Sequence, residues 1–146
     1  MTRSDTSAMT ETEIADFLAR EGTGVLSFAL ENESYSIPVS YGYDPDENVF
    51  YMQLEVSESS GKSRFIKATE KASFVVYNQI EGVWRSVVAR GTLKPISVEQ
   101  VDQEIVKGLQ RADAPLAAIF EEDKNDLSFQ IHRLAVHELN GRKANQ

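Results

Sequence analysis

The chain has no cysteine, so disulfides and thiolate metal sites are excluded. It has only two histidines, His132 and His137. They lie five residues apart and face opposite ways in an extended strand, a spacing that does not converge on one metal. No apolar run approaches the roughly 18 residues of a membrane span, and Met1 to Thr12 holds no signal-like apolar stretch. The expectation is a cytoplasmic protein with no membrane association. Basic residues are also scarce: 15 Lys and Arg stand against 23 Asp and Glu, a net charge of -8. Nucleic acid is therefore not the expected partner, because phosphate backbones require a basic face. No Gly-x-Ser-x-Gly nucleophile elbow occurs, and the many carboxylates fall in turns and helix caps, so no catalytic residue is assigned.

What is present is alternation. In 35–43 the residues Tyr35, Ile37, Val39, Tyr41 and Tyr43 share one face, and Ser36, Pro38, Ser40 and Gly42 share the other. Period two is a strand with two unlike faces. Pro38 removes a ladder donor, which places this strand at an edge or a split in the sheet. Asp44-Pro-Asp-Glu-Asn48 is a turn cluster that folds Val49–Gln53 back antiparallel. Further strands read at Gly24–Leu30, Ala72–Tyr77, Val83–Ile96 with a bulge near Gly91, and Leu127–Val136 with a bulge near His132-Arg133. Glu31 to Ser34 and Glu81-Gly82 are turns.

Thr10-Glu-Thr-Glu13 is a capping box opening a helix on Ile14, Phe17 and Leu18. Ser97-Val-Glu-Gln100 is a second box, and Asp113-Ala-Pro115 starts another helix. A short helix spans Gly61–Thr69. Six hairpin-linked strands with inserted helices give α+β: a six-stranded antiparallel split β-barrel with short flanking helices. Residues 1–9 are expected to be a disordered tail, 10–143 one domain and 144–146 a tail.

Two features bear on ligands. Lys62 and Ser63 sit at a helix start, where free N–H groups and the dipole favour an anion such as phosphate; the alternative is an ordinary first helical turn with solvated basic residues. Trp84, beside Arg85 and Ser86, reads either as core or interface packing or as a wall for a planar ring shared with a second chain.

This succession, with Gly61-Lys-Ser-Arg-Phe-Ile66, Trp84-Arg-Ser-Val-Val-Ala-Arg-Gly91 and the closing Glu138-Leu-Asn-Gly-Arg-Lys143, resembles the pyridoxamine 5'-phosphate oxidase-like split-barrel flavoproteins, especially small members of the nitroimidazole-resistance type. The resemblance implies a homodimer with FMN at its interface and a small-molecule substrate for a flavin-dependent oxidoreductase. It implies ring contacts at Pro38, Val39, Ser40 and Tyr41, phosphate contacts at Lys62 and Ser63, and approach of Trp84, Arg85 and Ser86 from the partner subunit. Gln53 stands where several relatives carry histidine; it can hydrogen-bond a flavin edge but does not titrate near neutrality. The chain is short and lacks the C-terminal arginine and histidine set of true pyridoxamine 5'-phosphate oxidase, so vitamin B6 oxidation is not the expected reaction. The alternative is a binding module for flavin, the deazaflavin F420 or haem without turnover.

Overall fold

The structure, a computed structural model, describes residues 6–55, 61–100 and 129–145, and the single positions 103 and 106. The elements are β1 (Thr6–Ala8), α1 (Glu11–Arg20), β2 (Thr23–Leu30), β3 (Glu33–Asp44), β4 (Val49–Glu55), α2 (Gly61–Ala68), β5 (Lys71–Ile80), β6 (Val83–Ile96), a 3₁₀ turn (Val98–Gln100) and β7 (Phe129–Asn145). The sheet has seven strands in the order β1-β7-β4-β3-β2-β5-β6, and β6 also pairs with β7. All pairings are antiparallel, and the β6–β7 ladder closes six strands into a barrel with β1 added outside it. The fold is thus the expected α+β antiparallel split barrel. Its seventh strand, β1, replaces the expected disorder over Thr6–Ala8.

Turn chemistry fixes the hairpins. Glu31 and Asn32 have φ of 49° and 66°, and Glu81 and Gly82 have 51° and 79°. Positive φ at both central residues is the two-residue turn whose twist matches that of paired strands. After β3, the Asp44 carboxylate accepts from the Asp46 and Glu47 amides at 3.0 and 3.3 Å. The α1 capping box forms as the sequence implies: Thr10 Oγ1 accepts from the Glu13 amide at 3.1 Å, and Glu13 Oε1 from the Thr10 amide at 3.0 Å. At the second box, the Gln100 side chain accepts from the Ser97 amide at 2.9 Å. The helix expected from Asp113 lies outside the described residues.

Alternation then fills the barrel. Tyr41, Phe50 and Phe74 are buried and meet edge to face, with ring centroids 5.0–5.4 Å apart. Burying rings of this size supplies much of the apolar area that holds a small barrel together. The Tyr41 hydroxyl donates to the Leu18 carbonyl at 2.8 Å, tying α1 to the core. β3 pairs with β4 only over Tyr41–Asp44, while β2 covers Glu33–Ser40 on its other side. Pro38 therefore lies in the stretch of β3 beyond the β4 ladder, as its missing donor requires.

The β6–β7 register shifts between Arg90 and Gly91, because Arg90 pairs with Glu138 and Gly91 with Val136. The extra residue is His137. The bulge near Gly91 is present, but the one expected at His132-Arg133 is not. The change of phase there reflects a strand buried on both faces: Ile131 (2%), His132 (3%) and Leu134 (0%) are all enclosed. Gly91 allows the close approach at the bulge, since a Cβ there would sit 2.1 Å from the Ala135 carbonyl oxygen.

Two outcomes follow. Gly91→Ala must push the β6 and β7 backbones apart and should cost about 2–3 kcal/mol in urea denaturation. His132 is buried, which lowers its pKa from the ordinary 6.5, against a smaller opposing effect from its contact with the Gln130 carbonyl. The unfolded chain then takes up the proton first, so this contribution to stability is complete above pH 6.5 and declines as pH falls from there toward the lowered folded value. His132→Leu should flatten that part of the stability–pH curve.

Candidate functional site

The pleat sorts the expected ligand residues of β3. Pro38 and Ser40 face outward and are exposed, whereas Val39 (9%) and Tyr41 (2%) point into the core. Burial, and secondarily the Glu21 charge, raises the Tyr41 hydroxyl pKa, so the phenol stays protonated and inward. Val39 and Tyr41 can thus meet a ligand only through their backbone. Outward from the barrel, Pro38, Val25, Val75 and Val88 form one row across β3, β2, β5 and β6, and Ser36, Ser27 and Ser73 form the next. The first row is uncharged; the second continues on β6 to Arg90, which pairs with Glu138. Ser27 and Ser36 share a 2.8 Å hydroxyl–hydroxyl bond.

Trp84, Arg85 and Ser86 come together with residues distant in sequence. The registers Tyr77↔Ser86↔Arg142 and Trp84↔Ala144↔Thr6 place these side chains on one outward face. They enclose a groove of about 280 Å³, which Arg85 and Lys143 also line. Its floor is small, at Ser86 and Ala144. Its walls are Trp84 and Tyr77, 36% and 61% exposed, the two exposed large hydrophobic residues among those described. Arg142 Nη2 donates to Thr6 Oγ1 at 2.7 Å. Lys143 pairs with Glu13, whose carboxyl is held below its ordinary pKa first by that bond and next by the Thr10 amide. Arg85 has no carboxylate partner among the described residues.

Beyond Tyr77 lies a second groove of about 430 Å³, lined in part by Glu21, Thr23, Pro38 and Asn78. Tyr77 belongs to both grooves, so Pro38 and the Trp84 group are neighbours on one surface. Tyr77, Thr6 and Arg142 are not among the site residues expected from the sequence. Tyr77 is marked only by being aromatic on an outward strand position, and Thr6 and Arg142 are brought in by pairings that local pattern does not carry.

Gln53 is placed apart from these grooves, on β4 opposite Ile131. Its side-chain nitrogen and oxygen are both buried, with no hydrogen-bond partner among the described residues. A buried amide left unpaired costs about 1–3 kcal/mol, which a ligand edge offering both a donor and an acceptor would recover. Lys62 and Ser63 occupy the first turn of α2 as expected; their side chains lie outside the described residues. Neither histidine reaches the grooves: His132 is in the barrel, and His137 Nε2 lies 2.6 Å from Thr92 Oγ1.

A family model described as pyridoxamine 5'-phosphate oxidase matches residues 10–143. The chain belongs to the pyridoxamine 5'-phosphate oxidase family. Solved structures share the split-barrel fold of this family member. A FAD-binding protein from Mesorhizobium loti superposes with a TM-score of 0.66 at 21% identity, over 96% of this chain and 99% of that one. A proposed 5-nitroimidazole antibiotic resistance protein from Bacteroides thetaiotaomicron gives 0.66 at 13% identity, over 94% and 87%. A FAD-binding protein from Mycobacterium smegmatis gives 0.65 at 16% identity, over 96% and 99%. No protein of curated function matches the chain in sequence. Among the described residues no helix is long and apolar enough to cross a membrane.

The orphaned amide yields a test of the site. Gln53→Met keeps the side-chain length and removes both unpaired atoms, so the ligand-free protein should gain about 1 kcal/mol in urea denaturation. Loss of stability instead would mean that the amide is satisfied.

Proposed function

We propose that this family member binds FMN at an interface between two copies of the chain and serves as a flavin-dependent oxidoreductase on a small-molecule substrate. The observation that carries the reading is the Trp84 groove. In a protein of net charge -8, the Arg142 guanidinium and the two exposed aromatic walls gather at one concave site, with the Arg85 and Lys143 strand positions at its edge. That combination suits the face and edge of a planar ring. Structural neighbours named for FAD binding, and one from Mycobacterium smegmatis named for FAD and haem binding, support a flavin of some kind.

In this reading Pro38 and Ser40, with the Val39 and Tyr41 backbone, offer a flat uncharged surface to the ring. Lys62 and Ser63 hold the phosphate at the start of α2. Trp84, Arg85 and Ser86 approach from the second copy. The uncharged Val25–Val75–Val88 face suits burial against its symmetry mate. Such a cofactor supplies two-electron transfer at its ring, and the chain supplies binding, orientation and exclusion of water. A second reading, a cytoplasmic module that holds flavin, F420 or haem without turnover, is favoured by the structural neighbours named for cofactor binding alone.

Purified protein should absorb at about 450 nm, the oxidised-flavin band, and sediment as a dimer of the 16.3 kDa chain. Lys62→Ala should weaken FMN binding about five-fold or more by equilibrium dialysis. Bleaching by NADH or NADPH with reoxidation by an acceptor would establish the enzyme over the carrier. Colourless protein without affinity for added FMN would end both.

A further inference from the structure

We propose that the Trp84 groove is a site for a small planar ring carrying a single carboxylate. Arg142 is the group that selects this ligand, and Thr6 is the residue that positions Arg142. The inference deepens the reading above by naming a class of substrate, and rests on that reading only for what happens to the substrate. The binding itself requires no flavin.

Arg142 is an exposed arginine without an acid. The chain has 23 Asp and Glu against 15 Lys and Arg, yet Arg142 has no carboxylate partner among the described residues. None of the described residues that line the groove is acidic. Alternation along β7 puts Lys143 on the opposite face from Arg142, on the side of Gly141, where it pairs with Glu13. Its neighbour Arg85 shares that face. Among the described residues one guanidinium is therefore the charge of the groove. A single carboxylate balances it, whereas a phosphate monoester brings about 1.5 to 2 negative charges.

The guanidinium is also aimed. Arg142 Nη2 donates to Thr6 Oγ1 at 2.7 Å. Thr6 is held in turn by its strand: Thr6 pairs with Ala144 and Ala8 with Arg142, and the Met9 amide donates to the Gly141 carbonyl at 2.9 Å. One donor of the fork is thus tied to the protein, and the remaining donors lie in a set plane. That is the condition under which a carboxylate gains most from paired N–H bonds.

The walls define the rest of the ligand. The register Tyr77↔Ser86↔Arg142 sets Tyr77 and Arg142 two strand spacings apart, about 10 Å, with the small Ser86 side chain between them. Trp84 stands one outward row along, beside Ala144. A carboxylate on Arg142 directs its attached ring over Ser86 and Ala144, between the two aromatic walls. This span takes one ring. The groove volume of about 280 Å³ agrees, since it falls below the roughly 300–1,000 Å³ of pockets that enclose drug-sized ligands.

Trp84, the single tryptophan of the chain, supplies the probe. Its indole N–H gives one signal in a nitrogen–proton correlation spectrum, to be followed while benzoate or benzamide is added to the full chain. The two compounds have nearly the same shape and differ in charge. Benzoate should bind about five- to ten-fold more tightly than benzamide, the scale of a charge-assisted pair of bonds at an accessible site. Arg142→Gln should remove that preference and leave benzamide unchanged. Arg142→Lys, which keeps the charge without the fork, should retain only part of it. Thr6→Val should weaken benzoate about two-fold with benzamide unchanged, and Thr6→Ser, which keeps the hydroxyl, should restore it. Tyr77→Ala should weaken both compounds alike. Equal binding of the two compounds to the unmodified chain, or a preference that survives Arg142→Gln, would overturn the proposal. A benzoate preference in protein without affinity for FMN leaves this site standing and removes the flavin reading; protein that binds FMN but shows no such preference does the reverse.

Discussion

The structure depends on one strand with two sets of neighbours. β7 is 17 residues long and pairs with β6 along nearly its whole length. On its other edge it pairs with β4 up to Ala135 and then with β1 from Arg142. The first partnership closes the barrel and sets Arg142 beside Ser86 and Ala144 beside Trp84; the second brings Thr6 to the Arg142 guanidinium. The bulge at His137 falls between the two, and the extra residue increases local twist where the edge changes partner. Gly91 belongs to the same constraint, because any side chain there would strike the Ala135 carbonyl. Barrel closure and groove assembly are thus two consequences of a single ladder.

Against that ladder the aromatic interior is a matter of packing. Tyr41, Phe50 and Phe74 fill the barrel, and the Tyr41 hydroxyl finds its partner in α1 rather than in a ligand. This division explains why β3 can present serine and proline outward at so little energetic cost. Its inner face alone supplies the burial, and the outer face is left available for recognition.

Much of the architecture was legible because hairpins are local. Glu81-Gly82, the Asp44 turn and the Thr10–Glu13 box each lie within a few residues, so composition and spacing suffice. The errors have physical causes. Thr6–Ala8 carries no alternation of apolar residues, and its strand exists only because β7 offers an edge. The misplaced bulge came from the slip of apolar phase between Ile131 and Leu134, which here reflects burial on both faces of the strand, with His132 enclosed and in contact with the Gln130 carbonyl. The site divided the same way. Trp84, Arg85 and Ser86 are consecutive and could be read together. Tyr77, Arg142 and Thr6 join them through registers, and Thr6 and Ala144 pair from opposite ends of the described chain. Single-sequence pattern carries no such long-range pairing.

That end-to-end pairing also bears on the order in which the molecule assembles. Loop closure between such distant segments is paid late, after the local hairpins have formed. The three residues of β1 add few ladder bonds in return. The clasp between the first strand and the last is therefore the part of the fold with least to hold it, and local opening there costs less than opening the barrel. The Thr6 edge of the groove and the barrel consequently have different lifetimes: the molecule can lose and recover the Thr6–Arg142 contact many times while the β6–β7 ladder stays closed.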